Sequence, residues 1–432
     1  MKISGNNDQL DVIDSKNVSD ENFPQNNWLK KIFDIFSTLP NGVFAVSLFG
    51  LFLGMSTTMV YSQLTLFLSN ELHITISKVA LIDGLVEFSS FLTRIVSGFI
   101  SDFMRDRKLM LFIGCGITLI ARPLLVFAHS SLMVFGIQTF ERIGNGLQAT
   151  PRDALIADLS GRSSRGRSFG FSRSMKTFGA LLGTPIAIGI MYLTMDNFRV
   201  VFLCATVPVV LSIICLTTIK NKKTENISEQ KRENPFKKKY LKSLDGAFWK
   251  LLALAVLFEL GHFTEHLFPL YINRFLPTTV CGVVSMCVSV GQVLLAFPIG
   301  YMADKFGKGK FIRVCMCLMI GANLMFLSAE HVSYPVLLIA LGALMWGGQL
   351  SAIQGLFLTL ISEQVHFNLR ATAMGVYYCS VGAAYFVASW TCGHIWEGLG
   401  SQYAFFYSIA FSVTALLFST KLLPVKYATK DE

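Results

Sequence analysis

From Val43 to Leu423 the chain is a succession of apolar runs, each about 20 residues long and separated by short polar breaks, with one long charged connection at 220–246. A run of that length crosses the hydrocarbon of a bilayer as a helix, because lipid offers backbone N–H and C=O groups no other partners. The spans fall near 43–68, 79–101, 109–128, 132–156, 168–193 and 200–219, then 247–272, 279–302, 311–329, 334–361, 371–392 and 403–423. The expected fold is therefore an all-α membrane protein with twelve transmembrane helices. Composition agrees: 53% of residues are hydrophobic and 15% charged, against roughly a quarter charged in soluble domains. A cytosolic enzyme and a disordered chain are both excluded.

The net charge of +10 would fit a nucleic-acid partner if the charges were clustered, but they alternate with the spans. Of 37 basic residues, 27 fall in the two termini and the even-numbered connections; Lys78, Arg199 and Arg274 lie at the opposite side. This is the positive-inside pattern, so both termini are expected in the cytoplasm. The chain then divides into a cytoplasmic tail (1–40), a six-helix half (41–219), a basic cytoplasmic linker (220–246), a second six-helix half (247–423) and a short tail (424–432). No nucleic-acid role is expected; anionic lipid explains the basic linker. The nine cysteines form no CxxC pair and read as free buried thiols. The first apolar run begins too late and runs too long for a cleaved signal peptide.

An internal repeat supports two halves. Gly98-Phe-Ile-Ser-Asp102 returns as Gly300-Tyr-Met-Ala-Asp304, 202 residues later, and Asp158, Arg165 and Gly170 return as Glu363, Arg370 and Gly375, 205 residues later. Near-equal offsets imply parallel pseudo-repeats of six helices, with a solute path between them near the middle of the membrane.

At these residues the chain resembles the major facilitator superfamily. Gly98-x3-Asp102 with Arg105, Arg107 and Lys108 is similar to the loop signature after that family's second span, and Gly300 to Lys308 is a cleaner second copy. Glu141-Arg142-Ile-Gly-Asn-Gly, Pro151-Arg-Asp-Ala-Leu-Ile-Ala-Asp158, Arg173-Ser-Met-Lys176, Glu87, Arg94, Ala121-Arg122-Pro123 and the stretch ending at Glu265 resemble one bacterial branch of it. The resemblance implies a secondary transporter of a small molecule in a bacterial inner membrane, monomeric, proton-coupled and working by alternating access. Asn145 stands where the branch carries Lys, and Lys176 where it carries Asp. That pair of departures adds one positive charge and implies an anionic cargo, such as a polycarboxylate or a carboxylate-type siderophore.

Charges inside spans cost about 2.5–3.5 kcal/mol on insertion scales, so they are kept where they pair or face water. Asp83, Glu87, Arg94, Glu141, Arg142 and Glu265 are the expected proton-coupling or charge network; a static set of salt bridges is the plainer alternative. Arg122, Arg173, Lys176, Tyr61, Gln63, His262 and Gln354 are expected around the cargo. Asp102, Arg107, Asp158, Asp304 and Lys308 are expected to gate the cytoplasmic side. Span five holds Gly179, Gly183 and Pro185, a pattern that exporters share and that helix packing explains equally well.

Span seven contains Glu259, His262, Glu265 and His266. On one continuous helix, Glu259, His262 and His266 would share a face. His262-Phe-Thr-Glu265-His266 matches the H-x-x-E-H pattern of a zinc hydrolase class, with two histidines at chelating spacing. In a membrane span a titrating acid–histidine group is the better reading, so no metal, cofactor or catalytic site is expected. There is no GxxxxGK(S/T) loop, so ATP is not the expected energy source.

Overall fold

The computed structural model describes residues 41–104, 107–160, 165–219, 244–365 and 370–423. The expected tails 1–40 and 424–432, Arg105 and most of the linker lie outside the described residues. The first six spans are α1 Asn41–Asn70, α2 Ile76–Met104, α3 Arg107–Leu124, α4 Ser131–Leu159, α5 Arg165–Leu193, and α6 Phe198–Cys204 with α7 Thr206–Thr217. The others are α8 Gly246–Glu259 with α9 Phe268–Ile272, α10 Val283–Phe306, α11 Lys308–Ala329, α12 Pro335–Gln364, α13 Arg370–Leu399 and α14 Ser401–Leu422. All twelve expected spans are helical, the sixth and the seventh with an interruption.

The repeat reappears in the helix ends. α2 and α10 end at Met104 and Phe306, 202 apart, while α5 and α13 start at Arg165 and Arg370, 205 apart. Among the described residues, eight spans are long and apolar enough to cross a membrane by length and composition alone. The remaining four are α2, α4, the broken α8–α9, and α13.

Two interruptions have local causes. Pro208 has no N–H to give the Cys204 carbonyl, and the sixth span breaks between α6 and α7 at that point. In the seventh span Gly261 and Pro269 bracket the break. A Cβ on Gly261 would lie 3.1 Å from the Ser408 carbonyl oxygen, so α14 approaches its backbone directly. The Thr264 hydroxyl then caps the next turn by accepting from the His266 N–H at 3.1 Å.

Glycines set the tightest helix crossings. A Cβ on Gly179 would lie 1.9 Å from the Leu51 carbonyl oxygen, and one on Gly54 would lie 2.4 Å from that of Lys176, so α1 and α5 touch backbone to backbone. The same device joins α10 to α12, where a Cβ on Gly347 would lie 1.9 Å from the Val288 carbonyl oxygen. The span-five glycines are thus packing residues here.

Between the halves, α2 packs on α13 and α5 on α10. The bundle has a terminal face, where α1 begins and α14 ends, and a far face opposite. Cross-half contacts run from the far face to mid-depth. The Glu397 carboxylate accepts from the Ser77 N–H at 2.9 Å, and Thr279 donates to Asp196 at 2.7 Å. Nearer the middle, Phe91 stacks on Tyr378 at 6.0 Å.

A cavity between the halves

At mid-depth the halves enclose a cavity of about 380 Å³. The first half contributes Thr57, Thr58 and Tyr61 from α1, Glu87 and Phe91 from α2, and Arg142 from α4. The second half contributes Glu259, Glu265 and His266 from the broken span, and Ser285, Ser289 and Gln292 from α10; Gln354 of α12 completes the wall.

Arg142 is the centre of the first wall. Its Nη2 lies 3.1 Å from Glu87 Oε2, and its guanidinium sits 4.5 Å above the Tyr61 ring, a cation–π contact. Gly146 lets α4 close on α2, since a Cβ there would meet Thr93 at 2.7 Å. Arg94, seven residues from Glu87 and so two turns along α2, reaches the same carboxylate at 4.0 Å. The Tyr61 hydroxyl donates to Gln138 at 2.6 Å, which fixes the ring under the guanidinium.

The floor of the cavity joins the halves. The His266 imidazole stacks on Tyr61 with centroids 5.0 Å apart, and its Nε2 lies 3.8 Å from Asp83 Oδ1. Tyr385 of α13 donates to the other Asp83 oxygen at 3.4 Å. Asp83, on the first half, is therefore held by two side chains of the second.

Arg122 departs from expectation. It is fully buried and makes a two-point ion pair with Glu141, at 2.8 and 3.0 Å, while its Nε donates to Ser56 at 3.1 Å. It does not line the cavity and instead ties α3 to α4 and α1. Glu141 is committed to the same lock, and Asn145 donates to it at 3.4 Å. Gln63 and His262 also lie behind the walls, each fully buried. Gln63 abuts Gly282 at the start of α10.

The one-face expectation for span seven fails because the helix stops at Glu259. His262 turns into the second half, with Nδ1 3.6 Å from Glu259 and its ring 5.0 Å from that of Trp346. His266 turns the other way, towards Asp83. The two histidines are therefore not arranged to chelate one ion.

A net-positive cavity is also not what the lining shows. It holds three carboxylates, Glu87, Glu259 and Glu265, against Arg142 and His266. The extra positive charge lies at one edge. Lys176 is exposed on α5, one turn from the lining residue Ala180, and its stem runs over Gly54 of α1, with Cγ 3.3 Å from the Cβ position there. Arg173, three residues earlier, is exposed as well.

Of the expected gating residues, Asp102, Asp158 and Asp304 lie near the terminal-face ends of α2, α4 and α10; their side chains are outside the described part of the structure. Arg107 opens α3, and Lys308 pairs with Glu363. Sequence reasoning passed over Ser285, Ser289, Gln292 and Gln138. The first three recur at four- and three-residue spacing in an otherwise apolar span, a polar stripe that was there to be found.

The sequence matches the profile of the Major Facilitator Superfamily over residues 46–278 and 267–432. The chain belongs to that superfamily. An uncharacterized MFS-type transporter of Methanocaldococcus jannaschii is 25% identical over 353 residues, covering 80% of this chain and 85% of the relative. An uncharacterized protein of Mycobacterium tuberculosis is 22% identical over 312 residues, covering 71% and 75%. Among solved structures, a nucleoside transporter superposes with a TM-score of 0.74 at 11% identity, covering 88% of this chain and all of that one. A D-xylose–proton symporter gives 0.70 at 17% identity, covering 89% and 98%.

As a superfamily member the chain is a multi-pass membrane transporter and not an enzyme. Its central cavity lies where parallel six-helix repeats place a solute site.

Proposed function

We propose that this transporter carries a small organic solute with an anionic group, coupled to protons, by rocking of the halves 41–219 and 247–423 about the central cavity. The observation that carries the reading is Arg142, a guanidinium on the cavity wall held between Glu87 and the Tyr61 face. An arginine so placed offers a fork of donors to a carboxylate without having to leave its partner. Lys176 and Arg94 add positive charge on the same half. Polycarboxylates and carboxylate-type siderophores are the cargo classes that fit. The proton sites are carboxylates and the histidine of the lining and floor: Glu87, Glu265, and the Asp83–His266 contact that ties cavity to closed face. The terminal face is cytoplasmic in this reading, on the strength of the basic residues gathered there, and the membrane is a bacterial inner membrane. The carrier works as a monomer.

Three carboxylates and three aromatic rings in the cavity favour one rival, proton-driven export of lipophilic cations. A thermal-shift screen of the detergent-purified protein separates the two. A ligand of the folded state raises the melting temperature with concentration. Carboxylates or ferric carboxylate siderophores are expected to do so, and the shift is expected to vanish in Lys176→Asp. Shifts from lipophilic cations alone would overturn the anion reading.

A further inference from the structure

The first half lines the cavity with Arg142 and Glu87 and the second with Glu259, Glu265 and His266, and each side keeps one charge unpaired, Lys176 at the edge of the first and Glu265 on the second. On the first half, Lys176 makes no ion pair among the described residues, and the charges around it are mostly of its own sign, Arg94, Arg142 and Arg152, with Asp153 and Glu87 opposing them. It sits on the cavity side of α5. Gly50 and Gly54 pass beneath its stem, and on that same face of α1 Thr57, Thr58 and Tyr61 continue into the lining.

On the second half, Glu265 lines the cavity from the turn that follows the break in span seven. It too makes no ion pair or side-chain hydrogen bond to a basic residue among the described residues. Glu259 lines the same wall, and its contact is with His262, on the side away from the cavity. Glu87, by contrast, is balanced by Arg142 and Arg94 of its own half. Counted with Lys176 at its edge and Arg94 behind Glu87, the first side is cationic in sum, while the second, with Glu259 and Glu265 against His266, is anionic.

A cargo of one sign answers only one wall. A simple anion bound at Arg142 and Lys176 faces two carboxylates across the cavity, and a simple cation at Glu259 and Glu265 faces the arginines and the lysine. A solute with both signs neutralises both, and the polar lining of Ser285, Ser289 and Gln292 suits the hydrophilic body between them. From this we infer that the cargo is amphoteric: a small amino acid-type solute whose carboxylate meets Arg142 and Lys176 and whose ammonium meets Glu265 and Glu259. This rests on the anion reading above and adds the second pole.

The test uses the full-length purified protein and matched acids that differ only in the amino group: glutamate against glutarate, and 2,6-diaminopimelate against pimelate. Tetraphenylphosphonium is a third arm. Dissociation constants are measured at pH 8, where ordinary carboxylates are ionised and ordinary amines protonated. The aminated member of a pair is expected to bind about tenfold tighter or more, as for a desolvated charge pair. Glu265→Gln is expected to reduce that preference to about twofold. Glu265→Asp, which keeps the charge, is expected to retain the preference and guards against a folding defect. Equal or tighter binding of the des-amino acids by the unaltered protein would overturn the amphoteric reading and leave the anion reading standing. Binding of tetraphenylphosphonium alone would overturn both.

Discussion

Replacing Arg122 with leucine is expected to cost about 3–5 kcal/mol of stability, because it leaves the Glu141 carboxylate buried without its partner. Both side chains are fully buried, and the guanidinium also holds Ser56, whose hydroxyl donates to the Ala205 carbonyl at 2.7 Å. One side chain thus ties α3 to α4, to α1 and to the joint between α6 and α7. Removing both leaves no buried charge unpaired, so Arg122→Leu with Glu141→Leu is expected to recover most of the loss. The check is thermal unfolding of the purified single and double variants in one detergent. A single variant as stable as the parent would show that the pair is not the lock described here.

Arg142→Gln is expected to do the opposite: transport is lost and the fold is kept. Glutamine retains a donor near Glu87 but has neither the charge that meets an anion nor the guanidinium plane above Tyr61. Glu87 lines the cavity with Arg94 still 4.0 Å away, so its carboxylate is not stranded. Membrane insertion and melting temperature are expected to stay near those of the parent, while flux of the cargo identified in the screen falls to background. Unimpaired flux would remove Arg142 from the mechanism.

The spans were legible because bilayer thickness imposes a length that any apolar run must meet, and their bounds differ from the helices by a few residues. The repeat was legible for a similar reason: the Gly-x3-Asp copies mark equivalent helix ends, and Met104 and Phe306 keep their offset. The break in span seven was not read, although Gly261 and Pro269 announce it, because the periodicity of Glu259, His262 and His266 suggested an unbroken helix. That error sent two histidines to one face when they part to opposite halves.

Arg122 was misplaced for a different reason. Its charge pointed to function, and only the fold brings Glu141, nineteen positions on, within 2.8 Å. The cavity's charge was misjudged because the count stopped at spans four and five. Glu259 and Glu265 enter from the other half, and no pattern along one span reports what faces it across a cavity. Tyr61 was singled out only as a polar residue; that it joins Arg142 to His266 depends on three helices meeting.

The central claim is that cargo carrying an anionic group moves through this cavity together with protons. It is tested most directly in proteoliposomes loaded with a pH-sensitive dye and challenged with one carboxylate at a time. Saturable acidification of the lumen with at least one carboxylate, absent in Arg142→Gln, is the expected result. Proton movement elicited by lipophilic cations and by no carboxylate would contradict it.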